Sequence, residues 1–257
     1  MKIKSLHFPV TIEFGSVKIL AHAILEPLGI FVGFRYFLYL RKGNADAIET
    51  GQRIWIIIGA IFGALLGSRL VGGFENPAEL LASDNPLLYI YQNKTVAGGF
   101  LGGLFGVEWV KKLIKEKKSS GDLFTYPMIM ALIIGRIGCF TMGVYEETYG
   151  LPTSFFAGMN LGDGINRHPV TLYEIVFLLV LWISLVWLEK KYTLADGGRF
   201  KIFMMAYLCF RLMLDFIKPH YTFNFGLSTI QLVCLAGLFY YGAYILNPKK
   251  LILYKHA

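Results

Sequence analysis

The chain has 257 residues, of which 55% are hydrophobic and only 16% are charged. A soluble domain normally carries about 25% charged residues, so this composition excludes an ordinary water-soluble protein and indicates a membrane protein. The formal net charge of +8 is also seen in nucleic-acid-binding proteins, but in membrane proteins basic residues concentrate in cytoplasmic loops. We therefore expect the membrane as a partner and no nucleic acid.

Seven apolar stretches approach the length of about 20 residues that a helix needs to cross a bilayer. In chain order they cover residues 17–39, 54–73, 96–114, 126–145, 172–189, 200–217 and 227–246. No long linker and no internal repeat separates them, so we predict one all-α polytopic domain over residues 1–257. Residues 1–16 lack an apolar core and a cleavage site, and we expect the first span to be retained rather than removed as a signal peptide.

Basic residues are distributed unequally between the two sets of loops. Fifteen lie in the loops after the first, third and fifth spans and in the C-terminal tail, whereas six lie on the opposite side. The positive-inside rule then predicts a cytoplasmic C-terminus and an extracytoplasmic N-terminal segment, residues 1–16. The loop of about residues 146–169 is extracytoplasmic in this orientation.

The first span carries polar residues at membrane depth. His22 and Glu26 are four residues apart and therefore lie on one face of a helix. Arg35 lies near the basic loop that begins at Arg41, and a long arginine side chain at a helix end can reach the membrane interface. We interpret Arg35 as an interface residue and His22 and Glu26 as candidate functional residues.

Three further arginines, Arg69, Arg136 and Arg211, fall within or at the ends of apolar spans. An arginine at a helix centre costs about 2.5–3.5 kcal/mol on insertion scales, so each one needs a reason. Reaching the interface is a poor explanation for Arg136 and Arg211, which have apolar residues on both sides. The segment Gly135–Phe140 leaves room around the Arg136 guanidinium. Because arginine binds phosphate through two parallel hydrogen bonds, this segment suits a phospholipid headgroup.

Carboxylates accompany these arginines. Asp215 follows Arg211 by four residues on the same helix face, and the two form either a closed ion pair with a packing role or a fixed cation that meets an anionic group. Glu174 lies at the start of the fifth span, with His168 and Tyr173 within two turns at the outer membrane boundary. Glu174 either complements the positive end of that helix or belongs to a site.

Glycine and cysteine complete the pattern. Gly98 and Gly99 open a run in the third span in which small residues recur at four-residue intervals, which is typical of helices that pack backbone to backbone. The three cysteines show no CxxC spacing and no metal-ligand pattern. The chain also has no P-loop, dinucleotide-binding or HExxH motif. We therefore expect no metal and no cofactor.

Together these segments resemble the prolipoprotein diacylglyceryl transferase family, and the resemblance covers nearly the whole chain. The matching segments are Leu6–Pro9, Val32–Phe34, Gly67–Arg69, Gly98–Gly99, Gly135–Phe140, Arg167–Glu174, Phe210–Phe216 and Gln231. The most specific are the segment around Arg136 and the Arg-His-Pro…Leu-Tyr-Glu segment, in that order on a seven-span chain. The resemblance implies a multi-pass protein of the bacterial cytoplasmic (inner) membrane.

Family members move the diacylglyceryl group of phosphatidylglycerol onto the cysteine thiol of a lipoprotein precursor, and glycerol phosphate leaves. The resemblance implies the same two substrates here. The implied headgroup-binding residues are Arg69, Gly98, Gly99, Arg136, Cys139, Tyr173, Glu174 and Arg211. The candidate catalytic residues are His22, Glu26, His168, Arg211 and Asp215.

The chain departs from the family pattern in several places. Ala97 stands where the family usually has His, Cys139 where it has Asn, and Asp215 where it has Glu; Glu26 aligns with Tyr, and Thr171 replaces Gln. Without the usual His, the pair of titratable residues on the first span is our candidate for the base. Two alternatives stay open: a divergent transferase with another acceptor or lipid donor, and a non-catalytic lipid-binding or transport protein.

Overall fold

The computed structural model describes residues 7–15, 17–43 and 46–255 and is mostly helical. The elements are β1 (Thr11–Phe14), β2 (Val17–Leu20), α1 (Ala21–Gly43), α2 (Thr50–Gly73), α3 (Pro77–Ala82), α4 (Pro86–Gln92), α5 (Val96–Leu113), α6 (Asp122–Met142), β3 (Met159–Asn160), β4 (Asn166–Arg167), α7 (Val170–Lys191), β5 (Tyr192–Leu194), α8 (Gly198–Asp215), α9 (Thr229–Tyr240), α10 (Gly242–Ile245) and β6 (Ile252–Lys255). In these residues the named strands form three antiparallel two-stranded sheets, β1–β2, β3–β4 and β5–β6.

Four helices of the described chain are long and apolar enough to cross a membrane: α1, α2, α6 with the turn that extends it to Tyr145, and α7. Their outward side chains include large apolar groups. On α2, the side chains of Trp55, Ile61 and Phe62 are each more than half exposed. Apolar surface of this extent indicates contact with lipid. The protein is therefore a helical membrane protein.

The other three predicted spans take different forms. Helices α5 and α8 have 18 residues each and carry three and four charged side chains, and the predicted span 227–246 is divided into α9 and α10. The first predicted span begins four residues too early, because residues 17–20 pair as strand β2 with β1. Val17 and Ile19 are β-branched and favour an extended backbone. Seven spans and the orientation of the termini stay predictions.

The chain divides into two compact units, each assembled from segments that are separate in the sequence. Unit 1 comprises Met1–Asn44, Leu123–Lys190 and Phe216–Pro219. Unit 2 comprises Ala45–Asp122, Lys191–Asp215 and His220–Ala257. This division describes local compactness, and the single polytopic domain stays a prediction.

In unit 1, helix α1 approaches α6 closely at two glycines. A Cβ added at Gly29 or Gly33 would lie less than 3 Å from a backbone oxygen of α6. Phe37 continues this contact and stacks on Phe124 with ring centroids 4.1 Å apart. Small residues allow helix backbones to approach in lipid, where no hydrophobic force drives helices together. The contact aligns the beginning of α1, which carries His22, with the C-terminal half of α6.

Unit 2 is organised around α2 and α5, which pack through two matching rows of glycines. The rows are Gly59, Gly63 and Gly67 on α2 and Gly98, Gly102 and Gly106 on α5. A Cβ at any of these positions would overlap the backbone of the opposite helix. This confirms the predicted backbone-to-backbone packing of the third span and identifies α2 as its partner.

Helices α8 and α9 complete unit 2. Phe100 of α5 lies edge-on to Tyr207 of α8, with ring centroids 4.9 Å apart. The hydroxyl of Thr229, the first residue of α9, donates to a carbonyl at the end of α2 at 2.6 Å. Helix α9 begins with a capping box formed by Ser228 and Gln231, which satisfies two backbone N–H groups at the helix end. These contacts hold α8 against α5 and the start of α9 against the end of α2.

One basic residue assigned to a cytoplasmic loop is buried in α2. Arg53 is only 2% exposed, and its guanidinium contacts the Asp46 carboxylate and donates to the carbonyl of Ser120 at 3.0 Å. Its role is to connect the segment before α2 with the segment before α6. Without Arg53 the basic residues number fourteen against six, so the predicted orientation does not change.

Candidate functional site

Six polar side chains converge in unit 1, and we call them the α6 cluster. They are His22 and Glu26 of α1, Arg136 and Cys139 of α6, Glu146 after α6, and Glu174 of α7. Five of the six are residues that the sequence predicts as part of the site. Glu146 is the exception, because the sequence places it only in a loop.

Two glycines bring these side chains together. A Cβ added at Gly138 would lie 3.3 Å from Nδ1 of His22, so the imidazole approaches α6 where α6 lacks a side chain. Gly143 has φ +59°, a backbone conformation that favours glycine. The chain turns there after α6 and returns Glu146 towards His22.

Arg136 forms a buried ion pair with Glu174. The Arg136 Nε lies 2.8 Å from Glu174 Oε1, and the two side chains are 11% and 2% exposed. The Arg136 Nη1 also lies 3.8 Å from the sulfur of Cys139. The arginine predicted to bind a headgroup therefore already has a carboxylate partner, and Glu174 balances a charge instead of only complementing the end of α7.

The imidazole of His22 lies between two carboxylates. Its Nε2 is 3.2 Å from Glu26 Oε2, as the four-residue spacing predicts, and its Nδ1 is 3.6 Å from Glu146 Oε2. The other oxygen of Glu146 is 3.9 Å from the sulfur of Cys139. Three carboxylates against one guanidinium give the α6 cluster an excess of negative charge, so it attracts protons or cations.

A second group, which we call the α8 cluster, lies in unit 2. It consists of Arg211 and Asp215 of α8, His220 after α8, and Ser228 and Gln231 at the start of α9. The Asp215 carboxylate accepts a hydrogen bond from the Ser228 hydroxyl at 2.5 Å and lies 3.9 Å from His220 Nδ1. An ion pair with Arg211, one of the two alternatives that the spacing left open, is not among the contacts that Asp215 makes in the described chain.

Three buried polar atoms of the α8 cluster have no hydrogen-bond partner among the residues that the structure describes. They are Nε of Arg211, Oδ1 of Asp215 and Nε2 of Gln231. The three residues are at most 6% exposed. Buried polar atoms in proteins are nearly always hydrogen-bonded, and each exception needs an explanation. Three such atoms in one cluster make the α8 cluster a candidate site for a polar ligand.

Three other predicted residues lie on the α2–α5 side of unit 2. The Arg69 guanidinium lies 5.0 Å from the ring centre of Tyr91 and 3.5 Å from the carbonyl oxygen of Asn93. Gly98 belongs to the glycine rows. A Cβ at Gly99 would make only ordinary contacts, 3.7 Å or more, with α2. Packing therefore explains Gly98 but does not require Gly99.

His168 and Tyr173 form a pair of their own in unit 1. The Nδ1 of His168 lies 3.1 Å from the hydroxyl of Tyr173. The preceding residue, Arg167, donates to Asp163 at 2.7 Å. Slight burial raises the pKa of the Asp163 carboxyl, but the hydrogen bonds from Arg167 and from the backbone N–H of Ile165 lower it more, so its pKa lies below the ordinary value.

Comparison with known proteins gives one decisive match. The family model described as prolipoprotein diacylglyceryl transferase matches residues 9–246. The chain belongs to the prolipoprotein diacylglyceryl transferase family. The resemblance found from the motifs is therefore confirmed.

Its relatives include three phosphatidylglycerol–prolipoprotein diacylglyceryl transferases. The protein of Bordetella bronchiseptica is 30% identical over 224 residues, which cover 82% of each chain. That of Wolbachia pipientis subsp. Culex pipiens is 28% identical over 91% of this chain and 94% of its own. That of Clostridium tetani is 24% identical over 88% and 92%. In each case the match spans most of both chains.

The departures from the transferase family pattern occur in both units. Cys139 and Glu26 both belong to the α6 cluster, where they flank Glu146 and His22. In unit 2, Ala97 is fully buried near the start of α5, and Asp215 keeps a carboxylate in the α8 cluster.

The sequence interpretation missed three members of the clusters. Ser228 could have been found, because Ser-x-x-Gln before an apolar run is the signature of a capping box. His220 was assigned only to a loop. Glu146 follows a non-helical turn, so no periodic spacing connects it with Cys139 or His22.

Proposed function

We propose that the protein transfers the diacylglyceryl group of phosphatidylglycerol to the cysteine thiol of a lipoprotein precursor. A carbon–sulfur bond forms as the carbon–oxygen bond to the phosphate breaks, and the electron pair leaves with glycerol phosphate. The thiol proton must also be removed. Membership of the family, over nearly the whole chain, supports this reaction.

The observation that carries the proposal is the buried Arg211 guanidinium, whose Nε has no hydrogen-bond partner in the described chain. A phosphate oxygen is a strong acceptor for a guanidinium. In a site with little water, a fixed cation stabilises the charge that develops on the leaving phosphate. We assign the phosphate to Arg211, with Asp215 and Ser228 holding the adjoining backbone in place.

We assign the removal of the thiol proton to the α6 cluster of unit 1. Its excess of carboxylates suits the removal of a proton, and His22, held by Glu26, is the candidate acceptor. Arg136 lies beside Cys139 and Glu174, where it limits the negative charge of the cluster. Roles for Arg69 and Tyr173 in binding the headgroup, and for His168 in catalysis, remain part of the proposal.

We also propose seven membrane spans, an extracytoplasmic N-terminus and a location in the bacterial cytoplasmic membrane. The distribution of basic residues supports this orientation, and 18 residues give α5 and α8 a length of about 27 Å, close to the thickness of a bilayer core. Alkaline phosphatase fused after Asp163 should be active in cells, and the same enzyme fused after Lys117 should be inactive. The reverse pattern would invert the orientation.

The reaction can be tested with purified protein in vesicles that contain phosphatidylglycerol. A peptide with a lipoprotein cysteine should gain one diacylglyceryl group, detected by mass spectrometry, and glycerol phosphate should appear in equal amount. A peptide with Ser in place of that Cys is the matched control. If neither product forms, and the gene does not rescue a strain that lacks the family enzyme, the ordinary family reaction is excluded.

A second function is a transferase of the same fold that acts on another acceptor or lipid donor. Cys139 and Glu26 favour it, because both belong to the α6 cluster, to which we assign the removal of the thiol proton; Ala97, which stands where the family usually has His, also favours it. Lipid and lipoprotein profiles of a deletion strain would distinguish the two functions. Accumulation of an unmodified lipid or glycan with normal lipoproteins would support the second function.

A further inference from the structure

Three side chains of the α6 cluster present metal-binding atoms to one another. A ring nitrogen of His22, the sulfur of Cys139 and a carboxylate oxygen of Glu146 all lie within 4.8 Å of one another. Zinc bonds of about 2.0–2.3 Å in a tetrahedral site place the ligand atoms about 3.3–3.6 Å apart. Glu146 Oε2 lies 3.6 Å from Nδ1 of the imidazole, and Glu146 Oε1 lies 3.9 Å from the sulfur, so small side-chain movements would complete such a site.

The hydrogen bonding of His22 supports this arrangement. Its Nδ1 and the Oε2 of Glu146 are buried and have no hydrogen-bond partner in the part of the chain that the structure describes. The opposite ring nitrogen, Nε2, faces Glu26 at 3.2 Å. A histidine that binds a metal usually donates its other N–H to a carboxylate, which fixes the tautomer and the ring orientation. Glu26 occupies that position.

The charges of the cluster also favour a cation. Glu26, Glu146 and Glu174 carry three negative charges, and a Cys139 thiolate would add a fourth. Arg136 supplies one positive charge 3.8 Å from the sulfur, but Glu174 already balances it at 2.8 Å. A divalent cation between the remaining groups would offset most of the excess.

We propose that His22, Cys139 and Glu146 bind a zinc-class divalent cation, with Glu26 orienting the imidazole. Thiolate and imidazole ligands suit zinc, whereas magnesium and calcium prefer oxygen ligands alone. Three protein ligands leave the fourth tetrahedral position open, as in catalytic zinc sites. The spacing in the sequence gave no sign of this site, because its ligands come from two helices and a turn.

The use of this site rests on the proposed function. The open position would receive the acceptor thiol, which loses its proton to solvent on coordination. The thiolate sulfur then forms the bond to the diacylglyceryl carbon as glycerol phosphate leaves with the electron pair. In this refinement His22 is a ligand of the cation and no longer the proton acceptor.

The binding test needs neither lipid nor peptide. Full-length protein, stripped of metal in detergent, is titrated with Zn²⁺ and separately with Co²⁺, whose thiolate charge-transfer band reports a cysteine ligand. We expect one ion per chain and a clear band. Cys139→Ser should lose the band, and Glu26→Gln should weaken binding about 10- to 100-fold. Cys209 is an exposed cysteine of unit 2. The matched control is therefore Cys209→Ser, which should keep both the charge-transfer band and the wild-type affinity.

A second variant guards against misfolding. Cys139→Asn introduces the residue that the family has at this position and should remain folded, with an unchanged unfolding temperature but no thiolate band. The site is excluded if the wild-type protein binds no stoichiometric ion, or if Cys139→Asn binds Co²⁺ with the same spectrum. A protein that binds no stoichiometric ion but transfers the diacylglyceryl group would refute the site alone, and one that binds zinc but transfers nothing would refute the proposed function alone.

Discussion

The α6 cluster and the α8 cluster both contain a buried arginine beside a carboxylate, yet their charges are balanced differently. In the α6 cluster, Arg136 is paired with Glu174 at 2.8 Å, and further carboxylates leave an excess of negative charge. In the α8 cluster, Asp215 contacts Ser228, and Nε of Arg211 has no hydrogen-bond partner in the described chain. The first arrangement suits a proton or a cation, and the second suits an anion.

This difference refines the roles that the family resemblance implies. Both arginines match positions associated with the phospholipid, and the sequence cannot rank them. An arginine whose charge is already balanced by a carboxylate, as that of Arg136 is by Glu174, gains less from a phosphate than one without such an ion pair. We therefore expect Arg211 to dominate the binding of the leaving phosphate and Arg136 to act mainly within its own cluster.

The largest expected effect comes from removing the Arg211 cation. Arg211→Gln should lower kcat/KM for diacylglyceryl transfer about 100- to 1000-fold, because the leaving phosphate loses its fixed charge partner. Arg211→Lys keeps the charge but cannot form two parallel hydrogen bonds to a phosphate. Its kcat/KM should therefore lie between those of the wild type and Arg211→Gln. Initial rates in phosphatidylglycerol vesicles measure both.

The control is Arg35→Gln. Arg35 is exposed on α1, so this variant should transfer at the wild-type rate. If Arg211→Gln had the wild-type kcat/KM, Arg211 would have no role in stabilising the leaving phosphate. The proposed difference in role between the two clusters would then be wrong.

The next prediction concerns Arg136, whose charge is balanced by Glu174. Arg136→Gln leaves the 2% exposed Glu174 carboxylate without its partner and should lower the free energy of unfolding by about 3 kcal/mol. The double variant Arg136→Gln, Glu174→Gln removes both charges and should recover most of that stability. Unfolding in detergent and the transfer assay are measured side by side.

We expect the double variant to fold and to lose less activity than Arg211→Gln does. A double variant as inactive as Arg211→Gln would show that the Arg136–Glu174 pair is needed for transfer as much as Arg211 is. That result would remove the difference in role between the two clusters, although their difference in charge would remain.

Local spacing predicted part of both clusters from the sequence. The pair His22 and Glu26 followed from four-residue spacing on one helix, and the glycine run of α5 correctly indicated close packing. The same spacing offered an ion pair between Arg211 and Asp215 as one of two alternatives, and in the structure the hydroxyl of Ser228, outside α8, donates to that carboxylate. Spacing along one helix shows which residues share a face but not which residue from another element reaches that face first.

The contacts that could not be predicted join distant parts of the chain. The partner of Arg136 comes from α7, and Glu146 reaches His22 through the turn at Gly143. The matching glycine row of α2 was also missed, although its spacing equals that of α5. Hydropathy predicted the ends of most long helices to within a few residues. It missed strand β2, because the pairing of β2 with β1 depends on backbone hydrogen bonds.

A smaller effect separates packing from binding at two adjacent predicted residues. Gly98→Ala should lower the free energy of unfolding by about 1–3 kcal/mol, because its Cβ would overlap the α2 backbone at Gly67. Gly99→Ala has ordinary space for a methyl group and should leave stability unchanged or slightly higher. Thermal unfolding distinguishes them.

The activity of Gly99→Ala then shows whether Gly99 contributes to substrate binding in addition to the two clusters. Loss of transfer with full stability would support a headgroup-binding role for Gly99. Wild-type transfer would restrict the α5 glycines to packing and leave the α6 and α8 clusters as the places to look for substrate contacts.

The smallest expected effect tests whether burial is the reason that the Arg136–Glu174 ion pair matters for stability. Asp163 and Arg167 form a pair of the same chemistry at 2.7 Å, but in a loop with side chains 25% and 17% exposed. Burial slightly raises the pKa of Asp163, and the hydrogen bonds from Arg167 and the backbone lower it below its ordinary 3.8. A carboxyl with a lowered pKa in the folded state stabilises the fold above its unfolded pKa, and this contribution is lost as the pH falls through the folded value.

Asp163→Asn should therefore lower the unfolding temperature slightly at pH 7, and the difference should disappear well below pH 3.8. Solvent screens this pair, so its loss should be much smaller than that of Arg136→Gln. Thermal unfolding of both variants at neutral and acidic pH gives the comparison. An equally large, pH-independent loss for Asp163→Asn would mean that the loop pair acts through packing, and burial alone would then not explain the importance of the α6 cluster.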